Sequence, residues 1–133
     1  MLSQDQENEI QSLVNAVGEF QLAEQKNLKA IKVEEKSLNQ LVSYVDTESE
    51  EKIVAGLRAI TPEAGYLTEE ETTTEMNEEF YWIIDPIDGT TNFVNQVPHT
   101  AISVGVYKNK EPFIGIVYNP ILDELYEAEI VNK

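Results

Sequence analysis

The chain has 133 residues, 41% of them hydrophobic, which is enough to enclose one apolar core and too little to suggest two; a single domain over 1–133 is expected. Its formal net charge of −16 excludes the usual basis of nucleic-acid binding, because Lys and Arg that displace counterions supply most of that affinity. Cysteine is absent, which removes disulfides, thiolate metal sites and cysteine nucleophiles and leaves oxygen to hold any metal.

No stretch approaches the roughly 18 uninterrupted apolar residues of a membrane span, and the start MLSQDQENEI lacks the basic and apolar regions of a secretory signal. No membrane partner and a cytoplasmic location are expected. Ser3 and Gln6 have capping-box spacing, and Ile10, Leu13, Val14, Val17 and Phe20 recur at helical intervals, which predicts an amphipathic helix over roughly residues 4–28. Ile31 to Val45 is mixed and predicts short strand and loop pieces. Thr47 and Glu50 repeat the capping-box spacing, and Ile53, Val54, Leu57 and Ile60 mark a second helix that Pro62 stops.

Beyond Pro62, short apolar runs alternate with turn residues. Phe80 to Ile84 reads as a buried strand with Trp82 in the core, residues 100–107 alternate, Lys108 to Glu111 turns the chain, and Phe113 to Tyr118 returns it. A further turn at Asn119 to Glu124 leads into Leu125 to Val131. The predicted class is α+β: two N-terminal helices packed on an antiparallel β-meander.

The chemistry concentrates in Trp82-Ile83-Ile84-Asp85-Pro86-Ile87-Asp88-Gly89-Thr90-Thr91-Asn92-Phe93. A strand delivers Asp85 and Asp88 into a bend that Pro86 stiffens and Gly89 permits, so two anions point into one volume. They repel unless a cation or proton intervenes, and carboxylates with backbone carbonyls suit a hard ion such as Mg²⁺. Amides from Gly89 to Thr91, opening a short helix, can cradle a phosphate oxygen, and the Thr90 hydroxyl can hold a water. The plainer reading is an Asp-Pro/Asp-Gly turn that closes a hairpin. The alternating oxygen ligands of an EF-hand loop are absent.

Asp85 to Phe93, DPIDGTTNF after Trp82-Ile83-Ile84, resembles the first signature of the inositol monophosphatase family. Gly65-Tyr66-Leu67-Thr68-Glu69-Glu70 resembles its upstream acidic motif, Leu41-Val42-Ser43 before Asp46 its earlier aspartate motif, and Val94 to Pro98 its downstream segment. The resemblance implies that Glu69, Asp85 and the Ile87 carbonyl bind one Mg²⁺, and that Asp85 and Asp88 contribute to a second. It further implies that Glu69 and Thr90 orient the attacking water and that Asp46 acts near the metals through water. Asp88 and the amides of Gly89 and Thr90 would hold the substrate phosphate. The implied activity is Mg²⁺-dependent hydrolysis of a small phosphomonoester, inositol monophosphate first, with 3′(2′),5′-bisphosphorylated nucleosides or fructose 1,6-bisphosphate as alternatives.

Each upstream residue also has a plainer role. Glu69, Glu70 and Glu71 form an acidic run of the kind that solvates a loop, and Asp46 can serve as the N-cap of the second helix. His99 reads as structural, and no role is assigned to Lys36. Thr68 stands where the family often has glycine, and Glu71 where serine is common. The family's second signature, a Trp-Asp-x-Ala-Ala-Gly type segment carrying another metal-ligating aspartate, has no counterpart in these residues. The expectation is therefore the N-terminal metal-binding half of the family's layered fold, with the C-terminal half absent. Such a chain would be weakly active or inactive alone, and its uncovered surface favours a homodimer. The alternative is a non-catalytic, self-associating fragment.

Overall fold

The computed structural model describes residues 2–30 and 35–130. Helix α1 spans Gln4–Ala30 and helix α2 Glu35–Ile60; strands β1 (Gly65–Thr68) and β2 (Phe80–Asp88) follow, then a short helix α3 (Thr90–Val94) and strands β3 (Ala101–Lys108), β4 (Glu111–Asn119) and β5 (Glu124–Glu129). The predicted capping box forms in both directions: the Gln6 amide donates to Ser3 Oγ and the Ser3 amide to Gln6 Oε1. Among the described residues no helix is long and apolar enough to cross a membrane.

The α+β class stands, with corrections to its parts. Residues 35–45, expected as strand and loop, belong to α2, while Ile31 and Val33 lie outside the described residues. Thr47 and Asp46 are therefore in mid-helix and neither caps α2. The inward stripe of α2 runs Val42, Val45, Asp46, Ser49, Glu50, Ile53, Val54 and Leu57, all buried. Three of these are polar, so the apolar period is broken where the helix is not.

The five strands lie in sequence order. From β2 to β5 the predicted antiparallel meander holds, and Asn109 and Lys110, both at positive φ, make the two-residue turn between β3 and β4. The correction is β1, which pairs parallel to β2 and makes the sheet mixed. A parallel neighbour needs a crossover, and residues 69–79 provide it.

One face of the sheet carries Trp82, Ile84, Ile102, Val104, Val106, Ile114 and Ile116 against the helices. The helices run antiparallel: Gln6 reaches the Ile60 carbonyl and Gln21 reaches Ser49 Oγ. Between these contacts Gly56 admits Leu13, whose Cδ1 would lie 2.5 Å from any added Cβ. A second apolar cluster of Leu28, Val42, Val45, Ile87 and Phe93 sits beyond the first. Between the two clusters lie buried Gln21, Asp46, Ser49 and Glu50.

Trp82 is wholly buried, and its Nε1 donates to Thr61 Oγ1 at 2.9 Å. Thr61→Val keeps the shape and leaves the indole N–H unpaired; urea unfolding should show a loss of about 1–3 kcal/mol.

Candidate functional site

The site begins with the parallel pairing. Thr68 stands opposite Ile84, so the residues that follow, Glu69 and Asp85, lie side by side where β1 ends. The Glu69 amide donates to the Ile84 carbonyl at 3.2 Å and fastens the chain at that point.

Beyond Asp85 the pairing of β2 with β3 shifts register: Asp85 faces Ser103 and Asp88 faces Ala101, so β2 carries one extra residue. This bulge re-aims the strand end. It is held from behind, because Gln21 Nε2 donates to the Pro86 carbonyl at 2.8 Å while the Ile87 side chain enters the second apolar cluster. Gly89 then takes φ 97, and an added Cβ would meet the His99 carbonyl at 2.8 Å, so both conformation and space demand glycine. Helix α3 follows, anchored by buried Phe93, whose carbonyl accepts from Gln25 Nε2. The Asp-Gly pair thus opens a helix and does not close a hairpin.

Helix α2 supplies the facing wall. Asp46, Glu70, Thr90 and Thr91 line a cleft of about 310 Å³, with Ser43 and Val94 beside them. Asp46 is 7% exposed, and its carboxyl is pushed up to about 7, first by burial and then by Glu70, Asp85, Glu50 and Glu69. Asp85 is raised by burial, then by Asp88 and Glu69, with a backbone hydrogen bond from Ile87 opposing. Glu70 is raised by burial, then by Glu50, Glu69 and Asp85. The acidic groups are therefore coupled through Asp85: Asp88 and Glu69 raise it, and it in turn raises Asp46 and Glu70.

Thr90 is exposed at the cleft, and its Oγ1 donates a long bond to the Ile87 carbonyl at 3.4 Å. Asp88 and Gly89 border a second depression on the other side of the turn, shared with Asn92, His99 and Thr100. His99 is exposed and its carbonyl accepts from Asn92. The Lys36 side chain lies outside the described residues. Sequence reasoning missed Gln21, Ser49 and Glu50. Their signal was present as polar residues at helical spacing inside apolar stripes.

Among the described residues no three Asp, Glu or His side chains are gathered closely enough to enclose a metal ion. The donors nevertheless suit a hard divalent cation: all are oxygens, and Asp85 and Glu70 are each raised partly by the charge of acidic neighbours, Glu69 among them. A cation held between like-charged carboxylates relieves their repulsion.

The profile of the inositol monophosphatase family matches residues 3–133. The chain belongs to the inositol monophosphatase family. A relative from Aquifex aeolicus named fructose-1,6-bisphosphatase/inositol-1-monophosphatase is 41% identical over 99 residues, covering 74% of this chain and 38% of that protein. Inositol monophosphatase 2 of Solanum lycopersicum is 39% identical over 105 residues, covering 75% of this chain and 40% of that one. The chain thus spans about two fifths of the length of these curated relatives. Among solved structures, inositol monophosphatase II of Staphylococcus aureus MSSA476 superposes with a TM-score of 0.77 at 32% identity, over 96% of this chain and 47% of that one. The two helices and mixed sheet are therefore the fold of this family.

The raised carboxyls set a pH dependence. An acid with a raised folded pKa binds more protons when folded, so its contribution to stability is fully present below the ordinary value of 3.8 and is lost as pH rises to about 7. The metal-free chain should resist urea better at pH 5.5 than at pH 7.5. Asp46→Asn should flatten that profile and stabilise the chain at pH 7.5 by on the order of 2 kcal/mol. Identical profiles for the two proteins would contradict the assignment.

Proposed function

We propose that this chain carries the metal-binding and phosphate-binding elements of a Mg²⁺-dependent phosphomonoesterase, with inositol monophosphate as the first substrate. The observation that carries the reading is the side-by-side placement of Glu69 and Asp85 at the end of β1, with Asp88 near enough to raise Asp85, beside the Gly89 turn. Glu69, Asp85 and the Ile87 carbonyl would hold one Mg²⁺, and Asp85 with Asp88 would contribute to a second. Bound there, the ions would neutralise phosphate charge and make water a stronger nucleophile at neutral pH.

The chain's own groups do the rest. The amides of Gly89 and Thr90, at the open end of α3, receive phosphate oxygens. The Thr90 hydroxyl and the Glu69 carboxylate orient the attacking water, and Asp46 acts across the cleft through a further water. Asp88, at the outer lip of the turn, faces the substrate. Local cation charge also answers the field of the whole chain, which at −16 would otherwise repel a phosphate ester. The double name of the Aquifex relative keeps fructose 1,6-bisphosphate as a second substrate, and bisphosphorylated nucleosides remain a third.

The expected setting is the cytoplasm and the expected state a homodimer. Exposed Val117 and Tyr126 on the β4–β5 side favour pairing. A monomeric mass by light scattering at high concentration would count against the dimer.

The deciving test of the site uses Asp85→Asn in the same chain. Calorimetry should show Mg²⁺ bound by the wild type and affinity at least about tenfold lower in the variant. Mg²⁺-dependent phosphate release from inositol monophosphate should fall to background in the variant. Wild-type release is expected to be slow, because the Trp-Asp-x-Ala-Ala-Gly type segment is not among these residues. A wild type that binds no Mg²⁺, or equal release above background by the two proteins, would overturn the reading; no release from either, with Mg²⁺ bound by the wild type, would mean that turnover needs the C-terminal half.

A further inference from the structure

Glu50 is fully buried, and among the described residues it has no ion-pair partner. Its Oε1 accepts the Glu70 amide at 2.8 Å and its Oε2 the Thr72 amide at 3.0 Å. Between those amides Glu71 sits at φ 52, in the left-handed region that a residue with a side chain enters at a cost. Amides on either side of such a residue turn inward and form a concave seat for an anion. Here the anion is a side chain of α2, so a rigid helix holds the loop that leaves β1.

The arrangement is specific to a carboxylate. Two N–H donors need two acceptor oxygens, and a glutamine would offer one oxygen and turn its own NH₂ toward the other donor. The arrangement is also costly. A buried charge loses its hydration, and Glu50 raises the carboxyls of Asp46, Glu70 and Asp85 by repulsion. Stability alone would favour an apolar residue, as α2 has one turn further on at Ile53 and Val54.

We infer that Glu50 is a positioning residue: its two-point grip on the 70–72 backbone fixes Glu69 beside Asp85 and Glu70 beside Asp46, and so sets the affinity of the acidic site for a divalent cation. The inference rests on the metal-binding reading above and adds a residue that touches neither the cation nor the substrate.

The test uses the 133-residue chain with Mg²⁺ alone as the probe, calorimetry for affinity and amide hydrogen exchange for the loop. Glu50→Gln removes the charge and one acceptor. Glu50→Asp keeps the charge but is one methylene shorter. Glu51→Gln removes the same charge from the exposed side of α2. Both Glu50 variants should bind Mg²⁺ about tenfold more weakly, with faster exchange at the Glu70 and Thr72 amides, while Glu51→Gln should match the wild type in both readings. Wild-type affinity in both Glu50 variants with the amides deprotected would overturn the inference, since the grip would then be structural only. Loss in Glu50→Gln with wild-type affinity in Glu50→Asp would also overturn it, in favour of charge alone. A wild type that binds no Mg²⁺ would sink the metal reading itself, an outcome distinct from unchanged variants of a chain that binds. Should Glu50→Gln fail to fold, Glu50→Asp decides by the same two readings.

Discussion

The acidic end of this molecule hangs on a short parallel pairing. Four residues of β1 run alongside β2 in the same direction, so both strands release the chain at the same edge. An antiparallel neighbour would have delivered Glu69 to the far end of the sheet from Asp85. Parallel pairing instead puts two carboxylates from distant stretches of sequence next to each other with little freedom to separate. The cost is a crossover without a helix, residues 69–79, whose backbone must find partners elsewhere.

For that crossover and for the irregular end of β2, some of those partners come from the helices, and they explain the polar layer inside the core. Where α1 and α2 pass behind the ends of β1 and β2, their inward stripes change from apolar to polar. Gln21 answers the Pro86 carbonyl and Ser49, Gln25 answers the Phe93 carbonyl, and Glu50 answers two loop amides. Irregular backbone next to a buried surface leaves N–H and C=O groups without a strand or helix to satisfy them. Apolar clusters on either side keep the layer dry and fix its side chains in place. The helices thus act as a scaffold for the loops as well as a cover for the sheet.

Charge completes the picture. The carboxyls of Asp46, Glu70 and Asp85 are each raised from their ordinary values, first by burial and then by acidic neighbours. Folding therefore concentrates negative potential at one edge against its own electrostatic cost. Such an edge is suited to a divalent cation, and the Gly89 turn beside it presents the first amides of α3, which have no partner within the helix. The proposed chemistry joins these two features at one place.

The sequence by itself determined most of the local elements and the identity of the acidic turn. Period and capping set α1, alternation set β3 and β4, and the DPIDGTTNF string carried the family, because short-range spacing encodes helix, strand and bend directly. It misread Asp46 and Glu50, whose polarity breaks the apolar stripe that marks a helix; the partners that explain the burial of Glu50 lie some twenty residues away, at Glu70 and Thr72. Tertiary structure alone decided that β1 runs parallel to β2, that Glu69 meets Asp85, and that α2 continues through Asp46. Each depends on contacts between segments far apart in the chain, where the energy of pairing and of satisfying buried polar groups outweighs what neighbouring residues prefer.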